Sequence, residues 1–79
     1  MSEYVRRVAI RGARGGRRLW VADVSDEDGA PIMSWTHLRS GAARYYDTET
    51  AHRVAELARR SGRLFEGETV CVYRKGLPR

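Results

Sequence analysis

Residues 11–18 read Arg-Gly-Ala-Arg-Gly-Gly-Arg-Arg and lie between two apolar-rich segments, Tyr4 to Ile10 and Leu19 to Val24. A run of this polarity does not enter a core, and glycines at 12, 15 and 16 supply the positive-φ positions that a tight reversal needs. The chain is therefore expected to double back here, which commits its N-terminal part to an antiparallel β-hairpin. In the first strand candidate, Tyr4 to Arg11, the residues Tyr4, Val8 and Ile10 share one face with Arg6 interrupting, and Val5, Arg7, Ala9 and Arg11 take the other. In the second, Arg18 to Val24, alternation sets Trp20, Ala22 and Val24 against Leu19, Val21 and Asp23.

The next reversal is Ser25-Asp26-Glu27-Asp28-Gly29-Ala30-Pro31, where Asp-Gly is a strong hairpin dipeptide and Pro31 marks the edge of a further strand. That strand, Ile32 to Arg39, alternates Met33, Trp35 and His37 against Ile32, Ser34, Thr36 and Leu38. Ser40-Gly41-Ala42-Ala43 reads as a loop and Arg44-Tyr45-Tyr46 as a short extended lead into a helix. Asp47 or Thr48 can cap that helix, and Glu49 suits the positive end of its dipole. Ala51, Val54, Ala55 and Ala58 recur at i, i+3, i+4 and i+7, Arg59, Arg60 and Arg63 favour its far end, and Gly62 follows as the C′ residue. A stripe this rich in alanine predicts a helix lying close against a sheet. After a turn at Glu66-Gly67-Glu68, the β-branched and aromatic run Thr69 to Arg74 is a last strand. The reading is one α+β domain over residues 1–79, a small antiparallel sheet with one helix packed on one face, in the order β-β-β-α-β.

A domain of 79 residues buries only ~60–65% of the surface its unfolded chain exposes, so its stability is marginal or shared with a partner; a monomer and a homodimer are both open. The formal charge of +5 is unevenly distributed: six arginines against Glu3 in residues 1–18, four acids and no basic side chain in residues 19–38, a mixture beyond. Fourteen of the fifteen basic residues are arginine, whose planar fork suits phosphate and carboxylate. High-GC codon bias produces the same preference and points to a bacterium or its phage. Neither a signal-peptide-like N-terminus nor an apolar run near ~18 residues is present, so no membrane is expected and the reading is cytoplasmic, in a bacterial host cell.

Catalysis is not expected. Cys71 stands alone in a strand-like apolar run, and His37 and His52 with one cysteine do not make a zinc site, so no metal and no cofactor is assigned. The glycine-arginine run lacks the Gly-Lys-Ser/Thr ending of a Walker loop and precedes a strand, so no helix dipole faces a phosphate there. Function is read as binding, with a protein partner taken first and nucleic acid as the alternative. The expected contact is Arg11, Arg14, Arg17 and Arg18, extended by Arg6 and Arg7; four guanidiniums on one hairpin tip repel each other without a partner. Asp26, Glu27 and Asp28 form a second, acidic contact candidate; the spacing does not make an EF-hand, since position 37 is histidine. Trp20 and Trp35 are read as facing inward, with other aromatic residues left for an open sheet face, where they would stack on bases or anchor an interface.

Two resemblances bear on this reading. From Leu19 to Leu57 the chain resembles the AP2-like, arm-type DNA-binding domains of tyrosine recombinases, in Trp20, Asp28-Gly29 and the helix entry Tyr46-Asp47-Thr48-Glu49-Thr50-Ala51. The strand at Thr69 to Arg74 departs from that pattern. By size, compactness and element order the whole chain resembles the stand-alone anti-CRISPR proteins of phages and mobile elements, closest to inhibitors of a type I Cascade, with type I-C suggested by the high-GC bias. That resemblance implies stoichiometric binding to a CRISPR effector subunit that blocks target-DNA engagement; the AP2-like one implies a DNA-binding module that grips phosphates with the arginine-rich hairpin.

Overall fold

A computed structural model describes residues 4–12, 16–27 and 30–76, and at positions 26, 27, 30 and 31 the backbone only. Four strands, β1 (Tyr4–Arg11), β2 (Leu19–Glu27), β3 (Ala30–Thr36) and β4 (Thr69–Gly76), form one antiparallel sheet in the order β3-β2-β1-β4. A short 3-10 turn (Arg39–Gly41) and one α-helix, α1 (Thr48–Arg60), lie between β3 and β4. The architecture is the α+β arrangement expected, in the expected order. Both hairpin strands at the acidic turn are longer than alternation alone suggests: Asp26 pairs with Pro31 and Glu27 with Ala30. Proline is tolerated at position 31 because β3 is an edge strand.

Helix α1 starts where Asp47, in extended conformation, accepts from the Thr50 amide at 3.1 Å and the Thr50 hydroxyl at 2.8 Å. It ends at Ser61, followed by Gly62 at φ +76°, where a side chain would be strained. Its buried residues are Ala51, Val54, Ala55 and Ala58, and these small side chains let it rest on β1 and β4. The main core forms there, from Val8, Ile10, Val21, Val54, Ala55, Ala58 and Val70.

One bulge decides which side chains reach this core. Pairing of β2 with β3 shifts register between Val21 and Asp23, so two residues of β2 are passed where β3 passes one. Strict alternation set Val24 with Trp20; the bulge moves Val24 to the helix side with Leu19 and Val21, opposite Met33. Trp20 and Trp35 occupy opposite faces, because Trp35 pairs with Val21 and Trp20 with Thr36. Trp35 is half-buried under the helix side, whereas Trp20 is buried on the other side with Ala9 and Ala42.

The central strands part company. β1 and β2 pair only at Ala9↔Trp20 and Ile10↔Leu19. Beyond that, the segment preceding α1 inserts between them: the Ala43 amide donates to the Val21 carbonyl at 2.9 Å, and Arg6 and Tyr45 exchange two backbone bonds of 2.7 and 2.8 Å. The chain thus crosses the sheet, with Ala42 packed on the face away from the helix and Tyr45 on the helix side. This crossing satisfies backbone groups that a splayed sheet would leave unpaired. The molecule is 19 Å across its shortest axis, the thickness of one sheet and one helix.

Candidate functional site

The sheet face away from α1 is where the sequence's arginines meet. Register across β1 and β4 places Arg7 opposite Tyr73, Ala9 opposite Cys71 and Arg11 opposite Thr69. Ala9 is fully buried, and its small side chain lets the rings of Trp20 and Tyr73 meet from the two flanking strands, with centroids 5.3 Å apart. Arg18 reaches over this pair and lays its guanidinium 4.6 Å from the Tyr73 ring centre, a cation–π contact that holds the group in place.

Two arginines that the sequence reading left in a mixed C-terminal region join this face. The antiparallel register set by Arg6↔Tyr45 puts Arg44 across from Arg7, on the side opposite Tyr73. Because Arg6 and Tyr45 form a hydrogen-bonded pair, the Arg7–Arg44 position is of the closer, non-hydrogen-bonded kind. Arg39 arrives from the 3-10 turn that precedes Ala42. Burial holds the Arg7 guanidinium below its ordinary pKa, and the charges of Arg39 and Arg44 push it in the same direction. Two buried donors at this point, Arg7 Nε and Tyr73 Oη, have no hydrogen-bond partner among the described residues.

The remaining arginines are occupied otherwise. Arg53, Arg59 and Arg60 pair with Glu49 and Glu56 along the helix, the shortest contact being 2.6 Å from Arg59 to Glu56. Arg63 lies 5.7 Å from the Trp35 ring centre and Arg74 4.5 Å from that of Tyr4. By contrast, among the described side chains no carboxylate lies within 4.0 Å of Arg7, Arg11, Arg17, Arg18, Arg39 or Arg44.

Of the residues read as the contact, the structure therefore brings Arg7, Arg11 and Arg18 to one face, and Arg17 is exposed beside Arg18. Arg6 points elsewhere: it alternates onto the helix side, donates to the Tyr46 carbonyl at 3.4 Å and lies 6.0 Å from the Tyr4 ring centre. Its charge also helps to keep the Asp47 carboxyl below the usual range, after the larger effect of the Thr50 hydrogen bonds. Arg14 and Asp28 lie outside the described residues, as do the side chains of Asp26 and Glu27. The signal for Arg39 and Arg44 was present as two arginines bracketing a loop of small residues, but only the crossing of the sheet carries them to Arg7.

A second surface feature lies on the helix side, at the end of α1. Met33, Trp35, Ser61, Gly62, Arg63 and Phe65 line an open depression of about 500 Å³, and Phe65 is 78% exposed at its rim. Among the described residues no group of three His, Cys, Asp or Glu side chains is placed to hold a metal ion, and no helix is long and apolar enough to cross a membrane. Comparison with protein-family models, with curated proteins and with solved structures finds no match to this chain.

Proposed function

We propose that the protein is a non-catalytic binding module that engages the phosphate backbone of nucleic acid through the sheet face away from α1. The observation that carries this reading is the gathering of Arg7, Arg11, Arg18, Arg39 and Arg44 with no described carboxylate beside them. Like charges directly opposite each other in a sheet are destabilising. The Arg7–Arg44 juxtaposition therefore costs the free protein stability, and a polyanion offsets that cost on binding. Guanidinium groups fork onto phosphate oxygens, and the counterions they release make such binding strongly salt-dependent.

The test is a titration of a labelled duplex at several salt concentrations. Five phosphate contacts give a slope of log K against log[salt] of about −4.5. Alanine at Arg7, Arg18, Arg39 and Arg44 together is expected to reduce that slope to about −1 while the fold persists by circular dichroism. An unchanged slope rules the face out as the contact.

A second reading, a stoichiometric inhibitor of a CRISPR effector subunit, is favoured by the exposed Phe65 beside the apolar depression on the helix side. Exposed aromatic residues next to a partly apolar pocket are the usual anchors of protein interfaces. Co-elution with type I Cascade subunits on size exclusion, lost in Phe65→Ala and retained in the arginine variant, would favour this reading over the first.

A further inference from the structure

We propose that Arg7, Arg39 and Arg44, together with the Tyr73 hydroxyl, form a discrete binding site for one phosphoryl group. This inference rests on the reading of the face as a phosphate-binding surface and names the point on it where a single phosphate is held most tightly.

The geometry comes from two registers that share Arg7. On one side the β1–β4 pairing sets Tyr73 directly across from it; on the other the Arg6↔Tyr45 bridge sets Arg44 across from it. The 3-10 turn brings Arg39 into the field of the same guanidinium. Arg7 and Arg44, from separate segments, thus face each other within the field of Arg39, and no carboxylate among the described side chains lies within 4.0 Å to neutralise them. Beside them, Arg7 Nε and Tyr73 Oη are both covered and have no hydrogen-bond partner among the described residues. Buried donors without partners are uncommon in folded proteins, and two as cross-strand neighbours are rarer still. A ligand that suits these cations and donors together carries negative charge and several acceptor oxygens. A phosphoryl group has both.

Arg39 and Arg44 are exposed and long, so their guanidiniums are free to turn toward a bound oxygen. The tyrosine ring cannot turn so freely, since Trp20 packs against it and Arg18 lies over it. The ring pair therefore serves to position the hydroxyl and Arg18. It is not a platform for bases: Trp20 is only 5% exposed. A bound phosphate would also hold the crossing segment 43–45 between β1 and β2, because Arg44 belongs to that segment and Arg7 to the strand it bridges.

The experiment is thermal unfolding of the full chain in inorganic phosphate against sodium chloride of the same ionic strength, followed by calorimetric titration with phosphate. At tenfold over Kd, phosphate is expected to raise Tm by about 5–10 °C relative to chloride. Arg44→Ala, at an exposed position, should fold and lose that rise, and Tyr73→Phe, which keeps the ring contacts, should weaken phosphate binding several-fold. The source is separated by a second arm, in which a short duplex competes with free phosphate: mutual displacement assigns the site to a backbone phosphate, and simultaneous binding assigns it to a free phosphate. Equal melting in phosphate and chloride, or a rise that survives in Arg44→Ala, overturns the proposal. Salt-sensitive duplex binding that persists alongside such a result leaves the broader phosphate-backbone reading standing and removes only this subsite.

Discussion

Arg7→Met should make the protein more stable and a poorer ligand binder at the same time. The unbranched methionine keeps the packing of the arginine stem along the sheet while removing the charge and the covered Nε. Leaving a buried donor unsatisfied costs about 1–3 kcal/mol, and a like-charge pair across a sheet costs about 0.2–1 kcal/mol. The Arg7 guanidinium retains solvent around its outer atoms, so both contributions belong at the low end of their ranges. A net gain of about 1 kcal/mol corresponds to a Tm increase of about 4–8 °C for a domain of this size. The measurement is thermal unfolding by circular dichroism in a low-salt, phosphate-free buffer, with duplex affinity measured on the same samples. Arg7→Lys keeps the charge and should gain less than half as much. Raising the salt should narrow the gap between wild type and Arg7→Met, because screening weakens the repulsion with Arg39 and Arg44 in the wild type alone. A fall in Tm for Arg7→Met would refute the reasoning, since it would mean that Arg7 has a stabilising partner in the free protein.

Three further outcomes follow from other parts of the fold. The Asp47 carboxyl is held below its ordinary pKa by its bonds to Thr50, so the stability it contributes is present above about pH 4 and is lost as pH falls through the folded value; Asp47→Asn should cap comparably at neutral pH and flatten the acid limb of a Tm-against-pH curve. Tyr45 is displaced in the other direction, its phenol raised by burial and then by Asp23, so ionising it opposes folding: stability is retained below about pH 10 and lost as pH rises through the higher folded value, and Tyr45→Phe should unfold less readily at alkaline pH. Ala9→Leu forces a branched side chain under the Trp20–Tyr73 pair, where Ala9 is fully buried; we expect a loss of about 2 kcal/mol, a Tm lower by about 8–16 °C and a red shift of Trp20 emission, whereas an unchanged spectrum would show that the rings do not close over position 9.

The elements were legible because they rest on local physics. Period-two alternation set β1, and the spacing of Ala51, Val54, Ala55 and Ala58 marked the buried stripe of α1 together with its Asp47 cap. Alternation failed at Val24, because a bulge belongs to the pairing of two strands and has no signature in either one alone. The aromatic residues were legible as a surplus, but their placement was not. Trp20 and Trp35 are both inward from their own strands, yet they face opposite sides of the sheet.

The candidate site divides along the same line. Sequence by itself determined that the chain is a small α+β domain and that its arginines crowd the N-terminal hairpin. These follow from composition and from interactions within a few residues. Tertiary structure alone decided that Arg6 turns toward Tyr46 and the helix cap while Arg7, its neighbour, faces Tyr73. It also decided that Arg39 and Arg44, more than thirty residues along the chain, complete the cluster around Arg7. The physical reason is the parting of β1 from β2: unpaired backbone in the gap draws in the segment at 43–45, and that segment carries its charge to the far face of the sheet.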